Sequence, residues 1–218
     1  MLALKIGKDD EVITSNFTYV ASTNAILIAG AKPVFVDIDP NTLNIDIKKI
    51  ENKITPKTKA ILVTNVYGSV SDFVSLRKLA DRYSLKIIED AAESLGSKFD
   101  GIMSGNLADI STFSFYGNKT ITTGEGGMVT TNIKEYAEII KKLKNQGNSK
   151  TKTYFHDILG FNYRMTNIQA AIGVAQMNKI ELILKKKKRV YLFYYKNLNK
   201  IVSFPKLLKS SVSSHWMC

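Results

Sequence analysis

Short apolar runs of strand character alternate with segments of helical spacing along this chain, and no other property limits its fold so tightly. Asp10 to Thr14 predicts a strand, and Tyr19 to Ala29 predicts a helix with Thr18 as its cap and Gly30 closing it. Pro33 to Asp37 predicts the next strand, Asp46 to Lys53 a short helix, and Lys59 to Thr64 a third strand. Val74 to Tyr83 then has helical spacing, and Leu85 to Asp90 is again of strand type. Strands that alternate with helices build βαβ units. The expected fold is therefore α/β, a mostly parallel sheet with helices on both faces.

The stretch Ser114 to Gly127 carries the sharpest chemical signal. Asp109 to Phe115 predicts a strand with Phe113 and Phe115 on one face and Thr112 and Ser114 on the other, and it runs into a glycine-bearing loop that holds one lysine, Lys119. That position lies just past a strand's carboxyl end, where open α/β sheets gather ligands. A lysine partly desolvated there supplies a free amine that attacks a carbonyl to form a Schiff base. Taken by itself, the residue fits a solvated surface lysine as well. Beyond the loop, Met128 to Thr131 predicts a strand and Ile133 to Gln146 an amphipathic helix. Gly147 to Thr153 is polar and predicts a mobile loop, and Asn167 to Leu198 predicts a long helix with Pro205 beyond it.

Composition narrows the function classes. A chain of 218 residues, 44% hydrophobic, suits one large domain or one domain plus part of another. No apolar run is long enough to span a bilayer and the first residues lack a signal peptide's apolar core, so a cytoplasmic protein is expected. The single cysteine is Cys218, and His156 and His215 show no ligand spacing, which gives no disulfide framework and no metal site. The net charge of +12 favours anionic partners: nucleic acid, anionic lipid or phosphorylated small molecules. The basic residues are spread widely, and no nucleic-acid motif accompanies them. The dense run Lys185 to Arg189 would wrap all round a helix, as a solvated segment does.

Several ordered motifs carry a resemblance: Asp10-Glu-Val-Ile, Phe17-Thr-Tyr-Val, Pro33-Val-Phe-Val-Asp-Ile-Asp, Glu89-Asp-Ala-Ala-Glu-Ser-Leu-Gly96, the Lys119 loop, and Gly160-Phe-Asn-Tyr-Arg-Met-Thr-Asn167. On these the chain resembles the fold-type I, pyridoxal phosphate-dependent sugar aminotransferases of the DegT/StrS group, and within it the perosamine synthases. The resemblance implies a pyridoxal phosphate-binding large domain over residues 1–200 and the start of a smaller C-terminal domain over 201–218. It also implies roles. Lys119 holds the cofactor and shuttles a proton; Asp90 pairs with the pyridine nitrogen, where a carboxylate keeps the ring an electron sink. Glu93 lies near the ring oxygen, Tyr19 stacks on the ring, and Ser114 donates to the phosphate. Asn162, with Arg164 beside it, reaches the phosphate in a neighbouring subunit, so a homodimer is expected. Each residue also has a plainer reading: a strand-end or capping acid for Asp90, a first-turn helix acid for Glu93, core packing for Tyr19, backbone satisfaction for Ser114, a turn for Asn162.

The implied reaction moves an amino group from L-glutamate to a nucleotide-linked 4-keto-6-deoxysugar, with a GDP-linked 4-keto-6-deoxymannose leading. Related sugar dehydratases carry a histidine where this chain has Lys119, which favours transamination. Family members usually begin upstream of the point matching Met1 and continue past Trp216. The expectation is a chain that turns over poorly alone and leaves apolar surface around Trp216 uncovered. An inert fragment and a basic binding protein on the same fold are the alternatives.

Overall fold

The structure is a computed structural model, and it describes residues 1–217. Six strands form one sheet: β1 (Glu11–Ser15), β2 (Lys32–Val36), β3 (Thr58–Thr64), β4 (Lys86–Asp90), β7 (Ile110–Ser114) and β8 (Gly127–Thr130), in the order β2-β1-β3-β4-β7-β8. All neighbouring pairs are parallel except β7 with β8. The strand order reverses between β1 and β3, since the chain leaves β1 toward β2 on one side and returns to β3 on the other. Such a reversal opens a crevice at the carboxyl ends of the strands.

Alternation along each strand feeds two separate core layers. Ile13, Ile61, Val63 and Ile87 pack with Phe73, Leu76, Leu79 and Ala80 of α3 (Phe73–Arg82) and with Ile50 of α2 (Ile47–Ile50). Their sequence neighbours Val12, Ala60, Leu62 and Ile88 pack on the opposite face with Ile26 of α1 (Val20–Ile28). Helices therefore cover both faces, as the sequence predicts, because consecutive residues of a doubly covered strand must both be apolar.

Local signals set most boundaries. Asp46 caps α2 by accepting from the Lys48 amide at 3.1 Å, and Asp72 caps α3 by accepting from the Ser75 amide at 3.0 Å. Gly30, with φ at 84°, ends α1 as expected. Thr18 does not cap that helix. The N-cap is Tyr19 without a side-chain bond, and the Thr18 hydroxyl is instead within hydrogen-bonding distance of Thr64 Oγ1 (2.8 Å) and Ser22 Oγ (3.2 Å). The long helix expected over Asn167 to Leu198 is two helices, α5 (Asn167–Met177) and α6 (Ile180–Leu198), broken at Asn178 and Lys179. Asparagine competes for backbone hydrogen bonds with its own side chain, and it is the C-cap of α5. Thr166 and Gln169 form a reciprocal capping box that starts α5. The amphipathic helix α4 (Lys134–Leu143) precedes them.

A second, antiparallel sheet has no counterpart in the sequence reading. It consists of β5 (Lys98–Phe99), β6 (Ile102–Met103) and β9 (Ser211–Val212), in the order β6-β5-β9, and each strand is only two residues long. Through it the last described residues return to the main body.

The stretch Gly147 to Thr153 is one arm of a loop held shut at its neck, not a free excursion. Isolated bridges join Asn145 to Asn162 and Asn148 to His156, and His156 Nδ1 lies 2.8 Å from the Gln146 carbonyl oxygen. The two arms touch so closely that a Cβ on Gly147 would fall 1.9 Å from the Ile158 carbonyl oxygen, and one on Gly160 would fall 2.2 Å from the Gly147 nitrogen. Among the described residues no helix is long and apolar enough to cross a membrane, and no cluster of side chains could hold a metal ion.

Candidate functional site

The carboxyl ends of β4 and β7 and the segments that follow them carry Asp90, Glu93, Ser114 and Lys119. Thr64 and Asp90 are register partners at the ends of adjacent parallel strands, and Asp90 in turn pairs with Thr112 of β7. Ser114 follows two residues later on that strand, on the same face as Thr112.

Asp90 is held in one orientation by neutral donors. Its Oδ2 accepts from the Ser22 hydroxyl at 2.6 Å and, at the 3.5 Å limit, from the Thr64 hydroxyl; its Oδ1 accepts from the Ala92 amide at 3.1 Å. Ser22 stands in the first turns of α1 and Thr64 ends β3, so the donors come from both sides of the strand-order reversal. Among the described residues no lysine, arginine or histidine forms an ion pair with Asp90. Its charge is oriented but not neutralised by a cation.

Glu93 lies in a tight turn, not in a helix, which removes its reading as a first-turn helix acid. Its Oε2 accepts from the Tyr67 amide at 2.7 Å. Burial pushes the Glu93 carboxyl above its ordinary value; the Tyr67 amide and nearby Lys119 oppose the rise, and Asp90 adds to it. These influences place Glu93, Asp90 and Lys119 in one electrostatic neighbourhood. A carboxyl raised in this way contributes stability that is complete below its ordinary value of 4.5 and is lost as pH climbs through the raised value. Glu93→Gln is therefore expected to melt higher than the parent at neutral pH, with the two melting temperatures converging in acid. Thermal melts across that range check it, and pH curves that run parallel would show that burial of the charge is not what Glu93 feels.

Lys119 sits in the loop between β7 and β8. A turn from the Tyr116 carbonyl to the Lys119 amide (3.0 Å) shapes it, and the Thr123 amide donates to the Phe115 carbonyl at 2.9 Å to close its base. Gly126 belongs to this closure: its φ is 143°, and a Cβ would lie 2.7 Å from Thr123 Oγ1. From α5, Gln176 Oε1 accepts from the Thr122 amide at 3.1 Å, which ties the loop to the helix behind it. The Lys119 ammonium lies 4.4 Å from the centroid of the Trp216 ring. Ser114 Oγ accepts from the Tyr116 amide at 3.3 Å, so part of its capacity serves local backbone.

Tyr19 is 72% exposed at the start of α1, which excludes core packing. Asn162 and Arg164 form a separate group: Arg164 donates to Asn145 Oδ1 at 3.1 Å beside the Asn145 and Asn162 bridge, and both are exposed. Among the described residues no hydrogen bond joins that group to Asp90, Glu93 or Lys119.

The sequence reading gives no site role to Ser22, Thr64, Tyr67 or Trp216. Thr64 and Asp90 each end an apolar run with a polar residue, and aligning the runs as parallel neighbours pairs the two. Tyr67 and Trp216 have no comparable signal, since they arrive from distant segments. Trp216 itself is only 8% exposed, whereas its neighbour Met217 is 51% exposed.

The donor set suits pyridoxal phosphate. A primary amine, a carboxylate oriented by hydroxyls without a paired cation, and a strand-end hydroxyl are what a cationic ring with an aldehyde and a phosphate requires.

Comparison with known proteins bears on the same reading. The profile of the DegT/DnrJ/EryC1/StrS aminotransferase family matches residues 1–218. A GDP-perosamine synthase of Escherichia coli O157:H7 is 47% identical over 217 residues, covering all of this chain and 60% of that relative. Among solved structures, S. venezuelae DesV superposes with a TM-score of 0.93 at 32% identity, covering 99% of this chain and 58% of DesV. Spr1654 of Streptococcus pneumoniae, solved in a PLP form, gives a TM-score of 0.89 at 28% identity, covering 99% and 61%. The chain thus spans about 60% of the length of the curated GDP-perosamine synthases it matches.

Proposed function

The chain belongs to the DegT/DnrJ/EryC1/StrS aminotransferase family, and from that premise we propose that it moves an amino group onto the keto group of a nucleotide-linked sugar. The cofactor of this family is pyridoxal phosphate. The observation that carries the reading is the convergence of Lys119, Asp90 and Glu93 at the carboxyl ends of β4 and β7.

When bound, pyridoxal phosphate supplies an electron sink for a substrate carbanion. Lys119 is the amine that holds it and the group that takes a proton from, and returns one to, the substrate at its Nζ. Asp90 would pair with the ring nitrogen; its orientation is fixed beforehand by Ser22, Thr64 and the Ala92 amide, so little reorganisation would be needed when positive charge arrives. Glu93 would lie by the ring oxygen, the exposed Tyr19 would stack on the ring, and the Ser114 hydroxyl, whose oxygen already accepts from the Tyr116 amide, would donate its proton to the phosphate.

The finer assignments follow the similarity to GDP-perosamine synthases: L-glutamate as donor and a GDP-linked 4-keto-6-deoxymannose as acceptor. The net charge of +12 suits a diphosphate. We assign residues 1–200 to the cofactor-binding large domain and residues from 201 onward to the start of a smaller one, in a cytoplasmic protein. A second copy of the chain supplies Asn162 and Arg164 to the phosphate, in keeping with their exposure and their separation from Asp90 and Lys119. Exposed apolar side chains such as Ile28 (80%) on α1 and Ile168 (77%) on α5 also support a partner surface.

The test is to incubate the purified chain with pyridoxal phosphate, glutamate and the keto-sugar nucleotide, with mass spectrometry of the sugar product and light scattering of the same preparation. An aminated sugar is expected from a dimer, formed slowly and in line with the poor turnover that the sequence predicts. Absence of amination for every keto-sugar nucleotide offered, with cofactor bound, would overturn the assignment.

A further inference from the structure

We propose that Trp216 is a positioning residue for Lys119, its indole face holding the lysine ammonium while its ring N–H pins the backbone next to it. The functional meaning of the inference rests on Lys119 being the reacting lysine, as argued above.

Two contacts converge on the same loop from one side chain. The Lys119 Nζ stands 4.4 Å from the ring centroid, within the range where an ammonium is attracted to an indole face. The Trp216 Nε1 donates to the Asn118 carbonyl at 3.1 Å, and Asn118 immediately precedes the lysine. The indole thus fixes both the end of the side chain and the backbone from which it springs.

Trp216 is itself held from four directions. It stacks on Tyr67, with centroids 6.4 Å apart and planes 16° from parallel. Tyr67 has φ at 54°, a conformation costly for a non-glycine residue, and its amide is the donor to Glu93. Lys187 of α6 donates to the Trp216 carbonyl at 3.2 Å. Just upstream, Ser214 donates from its amide to Ser97 Oγ at 2.9 Å and from its hydroxyl to the Glu93 carbonyl at 3.2 Å, and β9 pairs with β5. The segment 211–216 therefore runs as a strap from the small sheet, past the Glu93 turn, to the Lys119 loop. Its last aromatic is placed by Tyr67 and the Glu93 turn, the same elements that place the Glu93 carboxylate, so the strap relates the lysine to that carboxylate.

The protein offers its own probe, because Trp216 is the only tryptophan in the chain. The first measurement uses the cofactor-free chain, limiting trinitrobenzenesulfonate and peptide mapping, with exposed Lys150 and Lys209 as internal references. Lys119 is expected to react more slowly than these. Trp216→Ala should raise its relative rate about fivefold, the worth of a partly shielded cation–π contact, and Trp216→Phe, which keeps a ring but loses the N–H, should raise it less. An unchanged relative rate in a folded Trp216→Ala chain overturns the proposal. The second measurement needs no substitution of the tryptophan: Lys119→Met removes the cation beside the indole and is expected to shift the intensity and maximum of the Trp216 emission. Emission identical to the parent's overturns the proposal even where Trp216→Ala fails to fold. Neither reading requires cofactor, so a chain that protects Lys119 but takes up no pyridoxal phosphate supports the positioning role while counting against the proposed reaction.

Discussion

Replacing Glu89 by alanine is expected to cost about 4 kcal/mol of stability, most of the margin of a domain at the lower end of the usual range of about 5–15 kcal/mol. Glu89 has no solvent exposure, and four donors converge on its carboxylate. Asn65 Nδ2 (2.8 Å) and the Ser104 hydroxyl (2.6 Å) reach Oε1; the Gly105 amide (2.9 Å) and the Ser111 hydroxyl (2.6 Å) reach Oε2. None of the four is a cation, so the carboxylate is stabilised by hydrogen bonds alone. Alanine would take the carboxylate away from the buried Asn65 side-chain amide and from the half-buried Gly105 amide, each loss costing about 1–3 kcal/mol, while the Ser104 hydroxyl keeps Ser94 Oγ as a partner. Glutamine preserves shape but turns its amide on one of the two groups that cannot reverse, so a cost of about 1–3 kcal/mol is expected. Urea unfolding of both variants checks the order. A loss below about 1 kcal/mol for alanine would mean that water or a shifted backbone satisfies the donors.

The second large effect concerns Lys119→Arg. Arginine retains a cation above the Trp216 ring, so the packing of the loop should survive, but it neither forms the covalent link nor passes a proton near neutral pH. Loss of proton transfer alone is worth about 10²- to 10⁴-fold, and losing the covalent hold adds to it. Single-turnover amination with the product followed by mass spectrometry, beside circular dichroism to confirm folding, makes the comparison. Activity within tenfold of the parent would transfer the reacting role to another residue.

How far the sequence leads is clear from where particular residues end up. The doubly apolar runs at Ala60 to Val63 and at Ile87 and Ile88 can only be covered strands, and they became the centre of a parallel sheet. Their polar ends, Thr64 and Asp90, are visible in the same runs. What the sequence withholds is the lateral alignment that makes those ends partners, because register depends on tertiary packing. Ser22 shows the limit well: its hydroxyl reads as an ordinary helix residue until α1 is laid beside β4. Thr18 carried a capping signal and spent its hydroxyl on Thr64 instead, a tertiary bond overriding a local preference. The two-residue strands at Lys98, Ile102 and Ser211 contain too few positions for any periodicity, and so the strap that delivers Trp216 could not be foreseen.

The pinched neck formed by Gly147 and Gly160 divides the chain into parts with different tolerances for change. Because the two arms are fastened where they enter the body, the positions of Asn162 and Arg164 are decided at the neck and not by what lies distal to it. Residues inserted near Lys150 to Thr153 would lengthen an already closed ring, and each doubling of its length costs only about 0.6 kcal/mol in closure entropy. One methyl group at Gly147, by contrast, would collide with the Ile158 carbonyl and pry the ring open. The loop can therefore serve as a grafting point for a tag or a peptide, while its smallest residue is among the least replaceable in the molecule.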